Sequence, residues 1–339
     1  MTGHTIRRTA AACAVAVSAL ALGACGETAG GESEEAAEYP SARISIMAPA
    51  DPGGGWDETA RVFQQAVRDG NVSDRGAEVY NVPGAGGTLG LSQLVTKNEG
   101  DPNQLMVMGL VMLGAIETNQ SSVDLSQVTP ISTLTEEAEA IVVPADSPYR
   151  TLGDLMDDLE RDPASIAWAG GSAGGTDQLL VGLLAKAVGA DPAETKYVAH
   201  AGGGEAIAAI LSGSVDAGVS GISEFADQVE AGKMRVLAVS GQEAVDVGGT
   251  KAPTLEQEGF DVVLTNWRGI VAPPGISDAE RDDVVAFVDE VRATPSWKES
   301  VERFGWTEVA KSGTDFDSFL ESEEQRVQQL VADLGLAAS

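Results

Sequence analysis

The sequence predicts an α/β protein with mostly parallel sheets, divided into two lobes. Short apolar runs alternate with helical patterns along most of the chain, and this alternation is typical of strands joined by crossover helices. Two segments look like crossovers between lobes: residues 142–148 end a strand in a proline-rich turn, and residues 246–253 form a glycine-containing link. If both are hinges, the middle of the chain forms one lobe and its two ends combine into the other. A single large α/β domain is the alternative.

The elements follow from short apolar runs bounded by turn residues, which predict strands, and from apolar residues at the helical period, which predict helices. Strands are predicted at residues 43–48, 78–82, 105–109, 140–143, 165–169, 195–198, 217–220, 235–240 and 262–264. Helices are predicted at residues 58–68, 88–97, 152–161, 177–188, 205–211, 224–231, 278–292, 296–304 and 315–334. The C-terminal part is therefore helical.

Glycine-rich segments without lysine or arginine mark the candidate binding site. They are residues 52–57, 83–88, 170–177 and 202–204. The first and third follow a predicted strand and open into a predicted helix. A turn without side chains exposes several backbone N–H groups at the positive end of the helix dipole. Such a turn binds an anion without a basic residue, and two turns in separate halves of the chain predict one anion held from both sides.

Side chains in these segments have different expected roles. The hydroxyls of Ser172 and Thr176 are able to donate to a ligand carboxylate. Asp57 and Asp177 stand near helix starts, where a carboxylate commonly caps unpaired N–H groups. Trp56 is either a wall of the pocket or a packing residue. Segment 83–88 either borders the same cleft or is a tight turn, and segment 202–204 is assigned only the turn into a helix.

The N-terminus predicts export and lipid anchoring. Arg7 and Arg8 precede a short apolar run, and residues 22–25 (LGAC) match a bacterial lipobox. We expect residues 1–24 to be a lipoprotein signal peptide, because the run is too short for a comfortable membrane span. Cys25 is the predicted lipidation site, with an ordinary signal peptide as the alternative. Residues 25–41 are polar and acidic, as in a flexible tether.

Composition excludes several function classes. The formal net charge is −31, so nucleic acid is not an expected partner. The two cysteines, Cys13 and Cys25, both lie in the N-terminal segment, so the body has no predicted disulfide or catalytic thiol. One histidine remains there, and no Asp/Glu cluster has calcium-loop spacing. We expect neither a metal site nor a cofactor.

One segment also fits a serine hydrolase. Residues 170–174 match G-x-S-x-G between a strand and a helix, the setting of a nucleophile elbow. His200 follows Ser172 by only 28 positions, whereas such enzymes usually place the histidine much later. We therefore expect no catalytic residues and favour an anion-binding loop, with the hydrolase as the weaker alternative.

A family resemblance joins these motifs. The chain resembles the solute receptors of tripartite tricarboxylate transporters, the TctC or Bug family of extracytoplasmic binding proteins. The matching segments are residues 48–57 (APADPGGGWD), 81–90 (NVPGAGGTLG), 170–177 (GGSAGGTD), 202–206 (GGGEA), 213–218 (GSVDAG) and 267–275 (WRGIVAPPG). They span the mature chain in family order, and the set is specific although each segment alone is weak.

The resemblance implies a fold, a site and partners. The fold is a two-lobed, type II periplasmic-binding-protein-like fold, here with lobe I at residues 42–143 plus 253–339 and lobe II at 144–252. The ligand is a small di- or tricarboxylate, delivered by a monomeric, lipid-anchored receptor outside the cytoplasm to membrane transporter subunits. Presentation of the ligand to a membrane sensor is the alternative. The implied ligand-binding residues are Gly53, Gly54, Gly55, Trp56, Asp57, Gly86, Gly87, Ser172, Ala173, Gly174, Gly175, Thr176, Asp177 and Ser220.

Overall fold

The computed structural model describes residues 39–337, within a compact unit that spans Glu38–Ser339. The predicted signal segment 1–24, the lipidation site Cys25 and most of the predicted tether lie outside the described residues. In the described range, no helix is both long enough and apolar enough to span a membrane.

Twelve strands and ten α-helices make up the described chain. The strands are β1 Ile44–Ala48, β2 Ala77–Asn81, β3 Gln104–Gly109, β4 Thr129–Pro144, β5 Ala167–Gly170, β6 Lys196–Ala199, β7 Ala217–Gly221, β8 Met234–Val239, β9 Val245–Val247, β10 Thr250–Ala252, β11 Thr265–Ala272 and β12 Thr307–Glu308. The helices are α1 Gly55–Asp69, α2 Thr88–Lys97, α3 Leu110–Asn119, α4 Leu152–Arg161, α5 Thr176–Ala187, α6 Gly203–Leu211, α7 Ile222–Glu230, α8 Asp278–Ala293, α9 Pro295–Phe304 and α10 Gly313–Asp333.

The long strand β4 connects two lobes. The strand order is β2-β1-β3-β11-β4-β7-β5-β6, with β8 and β12 also on β4. Pairing is parallel between β1 and its neighbours β2 and β3, and between β5 and its neighbours β6 and β7, whereas β4 and β11 run antiparallel to theirs. From Thr129 to Ala138, β4 pairs with β11, and from Glu139 onward it pairs with β7 and β8. The predicted α/β class with two lobes is confirmed.

Alternate side chains of β4 pack into two different apolar clusters, one on each face of the sheet in the second lobe. Ile141 and Val143 belong to the large core, which also contains the buried residues of β1, β3, α1 and α5. Ala140 and Val142 point the other way, into a second cluster with α6 and α7. This arrangement follows from the two-residue period of a strand.

The structure departs from the sequence prediction at β4, β11 and α3, among other elements. Strand β4 begins at Thr129 rather than residue 140, because its first half carries buried polar side chains, among them Thr133, Thr135 and Glu137, that interrupt the apolar pattern. A strand is predicted at 262–264, but the structure has β11 from Thr265 onward. Asn266 and Arg268 interrupt the apolar pattern of β11 in the same way. Helix α3 was not predicted, because it continues the apolar run of β3 and periodicity cannot divide such a run.

The lobe boundaries at 143/144 and 252/253 stay a prediction. Strand β4 changes its pairing partners between Ala138 and Glu139. The predicted link at residues 246–253 contains the antiparallel pair β9 and β10, which contacts α7 and β8 of the second lobe.

Ser240 joins the two segments that cross between the lobes. Its buried hydroxyl accepts a hydrogen bond from the Glu139 N–H at 2.9 Å and donates one to the Leu264 carbonyl. Its backbone pairs with the same two residues, at 2.9 and 3.0 Å. One small side chain therefore fixes the outgoing strand against the returning chain.

Replacing Ser240 by alanine should loosen this junction. The variant leaves a buried N–H and a buried carbonyl without their side-chain partner, so we expect the free energy of unfolding to fall by about 1–3 kcal/mol in denaturant titrations. The matched control is Ser322→Ala on α10, whose exposed hydroxyl bonds only to the Phe319 carbonyl in its own helix. Equal stability of the two variants would contradict the assigned role.

Candidate functional site

A cavity of about 350 Å³ lies between the lobes. Its wall contains residues from the glycine segments of both lobes. Of the predicted ligand-binding residues, those that line it are Gly54, Gly55, Trp56, Gly86, Gly87, Ser172, Gly175, Asp177 and Ser220. The structure therefore brings together parts of the chain separated by more than 100 residues.

The first-lobe loop is organised by Asp57. Its carboxylate accepts from the Gly53 N–H at 2.9 Å, from Arg61 Nε at 2.8 Å and from Asn81 Nδ2 at 2.8 Å. Burial alone would raise the pKa of Asp57, but these hydrogen bonds outweigh burial and lower the pKa below its usual value. Asp57 thus holds the loop in place from behind the cavity wall.

The second-lobe loop is built on the same plan. The Asp177 carboxylate accepts from the Gly171 N–H at 2.6 Å, and the Tyr197 hydroxyl donates to the Gly171 carbonyl at 2.9 Å. Gln178 accepts from the Gly174 N–H at 2.8 Å. The side chains behind the loop therefore fix its backbone, and Asp177 also reaches the cavity.

Four helices begin at the cavity without a side-chain cap. Helices α1, α2, α5 and α6 start after Gly54, Gly87, Gly175 and Gly202, and none of these glycines supplies a capping side chain. All four glycines line the cavity. Because the first N–H groups of a helix have no intrahelical partner, the starts of α1, α5 and α6 form a wall of backbone donors. At the start of α2, the N–H groups of Gly87 and Thr88 are bonded to the Gly84 and Ala85 carbonyls. The segment at 202–204, which the sequence assigned only a turn, contributes to this wall.

The loops of the two lobes touch each other. A Cβ added to Gly114 of α3 would lie 1.9 Å from the Gly174 carbonyl oxygen, and one on Gly202 would lie 3.7 Å from the Gly54 Cα. Backbone therefore packs on backbone across the boundary between the lobes. Trp56 both lines the cavity and packs against Gly87, where an added Cβ would lie 2.7 Å from its ring.

The floor of the cavity carries charges that the sequence did not reveal. Arg268 of β11 is 3 % exposed and forms an ion pair with Glu137 of β4. Glu137 also accepts from the Ser223 hydroxyl at 3.0 Å. Glu224 of α7 lines the floor and accepts from the Ser220 hydroxyl at 2.9 Å. A charged residue within a strand pattern was the available signal, because Arg268 interrupts the apolar run of residues 267–272.

Burial and mutual repulsion keep protons on this cluster. Burial raises the pKa of Asp177 to about 7, opposed by the Gly171 N–H and reinforced by the charge of Glu224. Burial, with the charges of Asp177 and Glu137, raises the pKa of Glu139 well above its usual range. Burial likewise raises the pKa of Glu224. Asp177 and Glu139 therefore stay partly protonated near neutral pH.

Five predicted ligand-binding residues lie outside the cavity wall: Gly53, Asp57, Ala173, Gly174 and Thr176. The contacts of Gly53, Asp57 and Gly174 shape the two loops. A direct ligand contact by any of the five stays a prediction.

The surroundings of His200 do not favour a hydrolase that uses Ser172. His200 Nε2 is buried and has no hydrogen-bond partner, so it does not activate the Ser172 hydroxyl. His200 Nδ1 faces Glu205 at 4.0 Å. A nucleophilic serine requires a base within hydrogen-bond reach, and this geometry does not supply one.

Comparison with known proteins agrees with the geometry. The profile of the tripartite tricarboxylate transporter family receptors matches residues 62–336. The chain is 24 % identical over 303 residues to a UPF0065 protein in the TAR-I ttuE-ttuC' intergenic region of Agrobacterium vitis, covering 88 % of this chain and 86 % of the relative.

Solved structures share the fold. The periplasmic binding protein BugD is 20 % identical with a TM-score of 0.77, covering 89 % of this chain and all of BugD. MatC from Rhodopseudomonas palustris, with bound malate, is 20 % identical with a TM-score of 0.75, covering 86 % of this chain and all of MatC. The predicted periplasmic-binding-protein-like fold is confirmed.

Stability should depend on pH through the buried cluster. The native-state pKa of Asp177, about 7, exceeds the unfolded value near 4, so the native state binds more protons between these values. The free energy of unfolding should therefore fall as pH rises from about 5 to about 8. Asp177→Asn removes the titrating group, and the wild type should lose stability relative to this variant over that interval in denaturant titrations.

Asp154→Asn on α4 is the control for this prediction. Backbone N–H groups of Arg150 and Thr151 lower the pKa of exposed Asp154, so its effect on stability should be the same at pH 5 and pH 8. A pH-independent difference between wild type and Asp177→Asn would contradict the protonated cluster.

Proposed function

Because the chain belongs to the tripartite tricarboxylate transporter receptor family, we propose that it captures a small di- or tricarboxylate between its lobes and delivers it to the membrane subunits of such a transporter. The family consists of periplasmic solute-binding receptors. The convergence of four uncapped, glycine-led helix starts on one cavity carries the proposal.

The donor arrangement suits a carboxylate. Helix N-termini combine free N–H groups with the positive end of the helix dipole, so an anion is stabilised without a cationic side chain. Glycine at each start lets the ligand approach the backbone closely. The malate bound to MatC supports this ligand class.

Capture follows from lobe closure. Helix α1 of the first lobe and helices α5 and α6 of the second present donors to the same volume, so a carboxylate bridging them binds the closed form better than an open one. A ligand with this differential affinity shifts the population toward closure. The transporter then recognises the closed form, and no covalent step is required.

Membrane attachment belongs to the same proposal. Acylation of Cys25 after removal of residues 1–24 would tether the receptor to the outer face of the cell membrane, with the acidic segment up to residue 41 as the linker. The two lobes, at 42–143 plus 253–339 and at 144–252, would then lie outside the cytoplasm near the transporter.

Ligand capture is tested by thermal-shift measurements with di- and tricarboxylates. At least one acid should raise the melting temperature, since a ligand that binds only the folded state adds stability by mass action. Gly54→Ala should weaken the binding of that acid about tenfold or more, because the added Cβ would occupy space in the cavity. Gly54 is buried with φ −85°, and an added Cβ would meet only the Asp51 carbonyl at 3.6 Å. The open space beside it is therefore the cavity.

Gly204→Ala is the matched control for this variant. Gly204 is exposed in the first turn of α6, and an added Cβ meets nothing within 4 Å. It should keep full affinity and gain slightly in stability. No shift with any acid, or equal affinity of the two variants, would contradict the proposed site.

Lipid anchoring is tested by cell fractionation. In the native host, wild-type protein should sediment with membranes and partition into detergent, whereas Cys25→Ser should be released in soluble form because it has no thiol to acylate. Equal membrane association of both forms would rule out Cys25 as the anchor.

A further inference from the structure

The cavity wall changes character between the glycine loops and the floor. The loops present backbone N–H donors, whereas Glu224, Asn266 and Arg268 line the floor, and two of these three residues carry side-chain acceptors. A carboxylate has only acceptor atoms at neutral pH, so it fits the loops. The floor requires a different group of the ligand.

Glu224 is held in place on this floor. Its Oε2 atom accepts from the Ser220 hydroxyl at 2.9 Å. A Cβ added to Gly203 would lie 1.4 Å from the same oxygen, so only glycine leaves room for the carboxylate at this point. The N–H of Gly55 also acts on Glu224 and lowers its pKa against the larger effect of burial. The carboxylate therefore lies where the two lobes meet.

Asn266 adds an acceptor without a partner. It is 7 % exposed, and its Oδ1 atom is buried and makes no hydrogen bond. An unsatisfied buried acceptor costs stability, which a donor on a ligand would recover. Asn266 lies two residues before Arg268 on β11, so both side chains leave the same face of the strand.

The charge of the floor disfavours a second carboxylate there. Glu137, Glu139 and Asp177 surround Glu224, and Arg268 is the basic residue among them. One guanidinium Nη of Arg268 is already engaged by Glu137, while Nη1 has no partner. A ligand hydroxyl would accept a hydrogen bond from Nη1 of Arg268 and donate one to an oxygen of Glu224 or Asn266. A ligand ammonium group would donate to these oxygens and accept nothing.

Resting on the proposed capture of an organic acid, we propose that Glu224 and Asn266 form a selectivity subsite for a hydrogen-bond-donating substituent, a hydroxyl or an ammonium group, on the carbon chain of the acid. The glycine loops hold its carboxylate. An acid of the same length without the substituent leaves the acceptors of the floor unpaired, and discrimination of this kind is strong.

The test is titration calorimetry at pH 8 with two matched series. The four-carbon series is succinate, malate and aspartate, and the five-carbon series is glutarate, 2-hydroxyglutarate and glutamate. In at least one series, the hydroxy or amino acid should bind at least tenfold more tightly than the unsubstituted acid. The two substituted members distinguish a hydroxyl from an ammonium group.

Variants assign the preference to the floor. Glu224→Met and Asn266→Leu each remove an acceptor and should reduce the preference, taken as the ratio of dissociation constants within each variant, to threefold or less. Glu230→Gln, at the exposed end of α7, is the matched control and should retain the preference. If one variant does not fold, as judged by its melting curve, the other variant and the wild-type ratios still decide.

The failures are distinguishable. Equal affinity for substituted and unsubstituted acids in the wild type, or an unchanged preference in folded variants, overturns the subsite and leaves the proposed capture intact. Absence of binding by all six acids overturns the subsite together with the proposed capture of a diacid.

Discussion

Contact between backbones at the boundary of the two lobes is the constraint on which the rest of the structure depends. Gly114 packs on the Gly174 carbonyl at a distance that leaves no room for a Cβ, and Gly202 packs near Gly54, where an added Cβ would be in van der Waals contact. Only this closeness allows helix starts from both lobes to surround one small volume. The absence of capping side chains at these helix starts also leaves N–H groups available to a ligand. Glycines therefore determine both how closely the lobes approach and how much backbone the cavity wall exposes.

The acidity of the protein becomes understandable from this arrangement. A chain with a formal net charge of −31 repels anions at long range, and its cavity floor adds Asp177 and Glu224 to that field. Local dipoles at four helix starts oppose it over short distances. Asp57 and Asp177 stiffen the two loops by accepting hydrogen bonds from Gly53 and Gly171. Carboxylates therefore support the donor wall from behind.

Sequence reasoning identified the α/β class, most elements and the glycine loops, because these follow from local periodicity and from glycine at helix starts. Sequence reasoning did not identify the charged side chains of the cavity floor. Arg268 and Glu137 come from strands β11 and β4, which are paired across more than 100 residues, and no local pattern records that pairing. Buried polar residues in β4 also hid most of that strand. Gly203 was underrated for a similar reason, since its importance comes from Glu224 on another helix.

A crystal structure of the protein with its organic acid tests the central claim most directly. A carboxylate of the acid should lie about 2.7–3.2 Å from backbone N–H groups at the starts of helices from both lobes, α1 in the first lobe and α5 or α6 in the second. A carboxylate bound by the Arg268 side chain, with these N–H groups bonded to water, would contradict the account.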